Sequence, residues 1–138
     1  MSNLTELEQA VMEKLLAGNE RVLSMLREQL KKATVVKREL TGVGFYTNFA
    51  IHDCEPLRVG NDKSIMFGDV VAEVPGTNGI GFGLELRNGC LAQLEGYTFG
   101  DELWPENVSD FKLKYVGEHR IFGSLSAYIH ESKKNNPR

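Results

Sequence analysis

Apolar positions in the first 32 residues recur at helical spacing. Leu4, Leu7, Val11 and Leu15 form one stripe, which Met12 and Leu16 widen. Thr5 followed by Glu8 fits a capping box, with Asn3 and Glu6 as a rival, earlier cap. Gly18 suits the C′ position of this helix, and Asn19 can cap a second one at once. Val22, Leu23, Leu26 and Leu30 give the second helix its apolar face, with Met25 at the margin. Neither helix is apolar all round, so both are expected to lie on something else.

From Ala33 the period changes to two. "ATVVKREL" is rich in β-branched residues, and "VGFYTNFAI" alternates cleanly. Val43, Phe45, Thr47, Phe49 and Ile51 fall on one face; Gly44, Tyr46, Asn48 and Ala50 fall on the other. Residues 52–64 are polar, hold Pro56 and Gly60, and form the longest candidate loop. "IMFGDVVAEV" reads as a third strand. Pro75-Gly76 and Asn78-Gly79 then turn the chain. Residues 79–99, "GIGFGLELRNGCLAQLEGYTF", supply a fourth and a fifth strand, and "FKLKYV" a sixth. The last segment can be read as helix or strand. Ile121, Phe122, Leu125, Tyr128 and Ile129 favour a short helix before a frayed tail. The expected class is therefore α+β: a helical pair over 1–32 on a mostly antiparallel sheet of about six strands over 33–116, with 117–138 as a C-terminal segment, all in one domain.

The central hairpin offers two registers. A two-residue Asn88-Gly89 turn pairs Leu86 with Leu91 and carries Gln93 and Glu95 into the most apolar row of the sheet. Burying a carboxylate there costs several kcal/mol. A three-residue loop, Arg87-Asn88-Gly89 with a bulge at Gly89, pairs Leu86 with Cys90 and gives one wholly apolar face. The second register is the expectation. It sets Gly83 opposite Gln93 and Gly81 opposite Glu95, a bare strip beside polar groups. Glycine within a strand often marks a close approach to the backbone. The N-terminal helices are the expected cover; the sharper alternative is a shallow groove with Glu95 at its edge and Tyr97 and Trp104 as walls.

Composition changes this picture little. Hydrophobic residues make up 41% and charged residues 25%, ordinary for a globular chain. The formal net charge is −3, so no basic excess points to nucleic acid. No apolar run is long enough for a membrane span, and the acidic N-terminus lacks a secretory pattern. A cytoplasmic protein with two reduced thiols, Cys54 and Cys90, is the expectation, although a disulfide between them is compatible with the spacing. Cys90 reads as a small core residue.

Chemistry is sparse. "HDCE" clusters His52, Asp53, Cys54 and Glu55 on the long loop, but one HxC falls short of a four-ligand metal site. Glu85 and Glu95 share a face, and Glu106 follows Trp104-Pro105; carboxylates on an open sheet face are usually only solvated. "GIGFG" runs into a strand, whereas a dinucleotide fingerprint opens a helix. No cofactor or metal is implied. "GDELWPE" joins acids, an aromatic and a proline at an expected surface, which suits a basic partner.

"LEGYTFGDELWPE", residues 94–106, resembles a signature of a group of small bacterial proteins, close to "LEGYTYG…WPE" after a strand–NG–strand hairpin. "RELTGVGFYTNF" and "LEQAVMEKLLAGNERVLSMLREQL" are similar to that group as well. The group has no assigned activity, so the resemblance carries over no catalytic residue. The leading expectation is a non-catalytic protein-binding module, with an immunity or antitoxin role as one version. Its candidate binding residues are Gly81, Gly83, Gln93, Glu95, Tyr97, Trp104 and Glu106. A rival is a small-molecule-binding or enzymatic domain with a cone-like pocket lined by Glu95 and Tyr97, joined by Tyr46 and Asn48. A homodimer through the exposed sheet face is a third reading.

Overall fold

The computed structural model describes residues 3–60 and 64–117. Helix α1 spans Glu6–Leu15 and α2 spans Arg21–Lys32. The capping box at Thr5 forms: Glu8 N–H donates to Thr5 Oγ1 at 3.1 Å, and Thr5 N–H donates to Glu8 Oε1 at 2.9 Å. Asn19 does not cap α2. Glu20 occupies that position and makes no side-chain cap bond. The junction is held from α2 instead, where Arg27 donates to the carbonyls of Leu16 and Gly18. Those carbonyls would otherwise be orphaned at the end of α1.

Seven strands follow: β1 Ala33–Leu40, β2 Gly44–Ile51, β3 Ile65–Phe67, β4 Val70–Glu73, β5 Ile80–Arg87, β6 Cys90–Thr98 and β7 Lys112–Tyr115. They form an α+β fold with sheet order β1-β2-β6-β5-β4-β7, and β3 pairs with β5 off this path. Every paired strand runs antiparallel to its neighbour. Leu7, Val11, Leu15, Leu23 and Leu26 of the helices join Phe45, Phe49, Phe82, Leu84 and Leu94 of the sheet in one buried core. The alternation in β2 holds: Phe45, Thr47 and Phe49 are buried, while Tyr46 and Asn48 are half-buried on the other side.

"IMFGDVVAEV" is two strands, not one. The break falls at Gly68-Asp69, where a Cβ on Gly68 would stand 2.1 Å from the Phe82 carbonyl oxygen. The backbone itself occupies that space, so the strand bends and pairs with β5 twice.

The hairpin register is also corrected. Arg87 pairs with Cys90 and Leu86 with Leu91, so the turn is the two-residue Asn88-Gly89 form. Both turn residues have positive φ, 55° and 78°, as a type I′ turn requires. The register then shifts, so that Glu85 pairs with Gln93, Leu84 with Leu94 and Gly83 with Glu95. Ala92 is the extra residue of a β-bulge. The favoured turn and the polar placement of Gln93 and Glu95 are thus both kept.

Gln29 holds this bulge. Its side chain is fully buried. Oε1 accepts from Leu91 N–H at 2.8 Å, while Nε2 donates to Leu57 O at 2.7 Å and Gly89 O at 3.0 Å. The loop after β2 is fastened to the same hairpin tip. Val59 N–H donates to Gly89 O, Arg58 Nε donates to Asn88 O, and Cys54 and Cys90 form a disulfide. The expectation of two reduced thiols, with Cys90 as a core residue, is overturned. Pairing Cys90 with Arg87 puts it at the tip, 6.4 Å from Cys54 between Cα atoms. The predicted C-terminal helix lies outside the described residues. No helix among the described residues is long and apolar enough to cross a membrane.

Replacing Gln29 by Met keeps the volume but orphans the buried Leu91 N–H, which costs about 1–3 kcal/mol. The expected result is a lower urea midpoint with faster amide exchange concentrated at 89–92. An unchanged midpoint means that the bulge does not need Gln29.

Candidate functional site

The helices cover one sheet face. Gly81, Gly83, Gln93, Glu95 and Tyr97 lie together on the other, since Ile80, Phe82 and Leu84 alternate with them into the core. Three rows cross this face. Gln93 sits between Asn48 and Glu85, Glu95 between Tyr46 and Gly83, and Tyr97 between Gly44 and Gly81.

The expectation that the N-terminal helices lie over the glycines is overturned. Sheet side chains cover them instead. The Tyr97 ring folds back over Gly81, so that a Cβ there would stand 2.6 Å from the ring. Phe99 packs edge-on against Tyr97, with ring centroids 5.8 Å apart. Over Gly83, only Met66 of the described residues comes near, at 3.8 Å from where a Cβ would be. The glycine face carries too many polar neighbours to seat the apolar helix stripes.

Most charges on this face are paired. Glu85 accepts from Ser64 at 2.7 Å and Arg87 at 2.9 Å. Burial pushes its carboxyl up, but the bonds from Ser64 and Arg87 outweigh this and hold it below the ordinary value. Glu73 pairs with Lys114 at 2.7 Å and Glu39 with Lys37 at 3.7 Å. Glu95 has no salt bridge to a cation among the described residues. Its charge, then its hydrogen bond, push the neighbouring Tyr46 phenol up. Gln93 donates to Asn48 at 3.0 Å.

Trp104 and Glu106 are not part of this face, so the groove walled by Tyr97 and Trp104 does not form. Trp104 packs edge-on against Phe45 at 5.3 Å, on the helix side. Phe45 in turn lies over Gly96, where a Cβ would stand 2.3 Å from the ring. Glu106 is exposed on the following loop. Trp104 belongs to a notch of about 220 Å³, lined by the N-terminus of α1 with Arg38, Leu40, Phe45 and Val108. A broader cleft of about 440 Å³ lies between the β4–β5 turn and Asp110-Phe111. Neither is lined by Glu95 or Tyr97, and the helices do not close over those residues.

Sequence reasoning missed a buried polar cluster on the helix side of the sheet. The Glu8 carboxylate, at the base of the notch, accepts from Arg38 Nε and Nη2 at 2.8 and 2.7 Å and from Thr47 Oγ1. Burial pushes this carboxyl up, but Arg38, Thr47 and the Thr5 N–H outweigh it, and the value falls below the ordinary 4.5. The available signal was Thr47, a polar residue on the apolar face of β2. Among the described residues, no three His, Cys, Asp or Glu come together as metal ligands. Cys54, in its disulfide, offers no thiolate. Compared with known proteins, the chain matches no family model, no curated protein and no solved structure.

Alanine scanning of the glycines should rank Gly44 and Gly68 as the worst sites, because an added Cβ would stand 2.1 Å from the backbone oxygens of Gly96 and Phe82. Gly96→Ala should follow at about 1–3 kcal/mol, because the Phe45 ring packed against Trp104 must give way. Gly81→Ala should cost less, since Tyr97 can swing outward, and Gly83→Ala should be neutral or stabilising. Chemical denaturation gives the order. For Glu8, the folded value lies below the unfolded one, so its contribution is complete above pH 4.5 and is lost as pH falls through the folded value. Arg38→Ala should cost about 3 kcal/mol at pH 7, because it strands a buried carboxylate. That penalty should shrink on acidification as Glu8 takes up a proton, measured as urea midpoints from pH 7 to 3.

Proposed function

We propose that the protein is a non-catalytic binding module that engages a basic protein partner through the sheet face opposite its helices. The observation that carries this reading is Glu95. It is half-buried, lies between Tyr46 and the bare Gly83, and has no cationic salt-bridge partner among the described residues, while the other carboxylates of the face do. A lysine or arginine of a partner can pair with Glu95 and lie against the Tyr46 ring, its stem packing on the exposed Met66 that stands over Gly83. Exposed Tyr97, Phe99 and Met66 supply apolar area around it. An immunity or antitoxin role against a basic toxin domain is one form of this activity.

The test is affinity capture from the native cell with the wild-type chain and with Glu95→Lys, followed by native mass spectrometry. A basic protein should be retained by the wild type and lost with Glu95→Lys, and cross-links should fall on β2, β5 and β6. Recovery of a stoichiometric small molecule without a protein sinks the reading, as does a partner that ignores the substitution.

A further inference from the structure

The notch at Trp104 is a second surface, on the other side of the sheet and independent of the Glu95 face. Its volume, about 220 Å³, is below the ~300–1,000 Å³ of pockets that enclose drug-sized ligands. It suits one large apolar side chain. Leu40 in its lining is 75% exposed, and Leu103, the chain neighbour of Trp104, is 80% exposed. Its floor is Phe45, fixed over Gly96. The surrounding charge is negative. Glu6 lines the notch, and Glu106 lies between Trp104 and Val108 in the chain. The one cation in the lining, Arg38, is neutralised by two hydrogen bonds to Glu8. Beside the notch, β1 is the edge strand of the sheet.

We infer that this notch is a docking site for an extended segment of a partner protein that carries one large apolar residue flanked by lysine or arginine. The segment aligns with the edge of β1, which no other strand pairs with among the described residues, its apolar side chain enters between Leu40 and Trp104, and its basic neighbours face Glu6 and Glu106. Strand addition at a sheet edge supplies main-chain hydrogen bonds, and a side-chain pocket supplies selectivity.

Trp104 is the only tryptophan in the chain, so its emission reports the notch directly. The probes are the amidated peptides Lys-Lys-Leu-Lys-Lys, the same peptide with Ser for Leu, and Glu-Glu-Leu-Glu-Glu. The leucine peptide should give a saturable blue shift that weakens with salt. The serine peptide should bind about tenfold more weakly or worse, the expected loss for one buried apolar side chain. The glutamate peptide should not bind. Leu40→Ser, at an exposed position that leaves the circular dichroism unchanged, should weaken the leucine peptide by a similar factor. Equal binding of the leucine and serine peptides overturns the inference, as does no saturable shift, or binding unaffected by Leu40→Ser. A blue shift that grows with protein concentration alone also overturns it, by assigning the notch to a second copy of the chain.

Discussion

Ala92 determines which side chains of β6 face the helices. The Asn88-Gly89 turn has the twist that antiparallel strands prefer, yet its simple register would drive Gln93 and Glu95 into the core. One extra residue resolves the conflict. Leu91 stays opposite Leu86 in the core, and every residue from Gln93 onward is shifted by one. The cost is a disrupted ladder at Leu91, whose N–H is taken by the buried Gln29 carboxamide. The same side chain binds the carbonyls of Leu57 and Gly89. A single residue of α2 therefore ties together the hairpin tip, the loop after β2 and the bulge that sets the polarity of the face opposite the helices.

A second polar tie works at the other end of the helical pair. Glu8 closes the capping box of α1 and receives Arg38 from β1 and Thr47 from β2. Helix start and sheet edge are thus held by one carboxylate. The buried ion pair adds little net stability over an apolar substitute, but breaking it is expensive. Its structural effect is to fix the N-terminus of α1 against Arg38. That spacing leaves the notch beside Leu40 and Trp104 open.

The two surfaces follow from these ties. On the helix side, Phe45 needs the bare Gly96 beneath it, and Trp104 closes over its edge. On the far side, Tyr97 needs Gly81, and Met66 stands over Gly83. Gly81 and Gly96 seat aromatic rings of the sheet itself. They do not seat a helix.

The elements were legible in the chain because their signals are local. The capping box at Thr5, the helical stripe of α1 and the alternation in β2 each depend on neighbours a few residues away. The polar character of the Gln93–Glu95 face was legible too, because a buried unpaired carboxylate is costly in any register. The means of achieving it was not. The bulge depends on a glutamine about 60 residues earlier, and a glutamine on a helix looks like any other solvated side chain. The Cys54–Cys90 disulfide, the split at Gly68 and the separation of Trp104 from Tyr97 have the same origin. Each is decided by which segments meet across the sheet. Sequence periodicity fixes which way a side chain points along its own strand, but only tertiary pairing decides what it meets there.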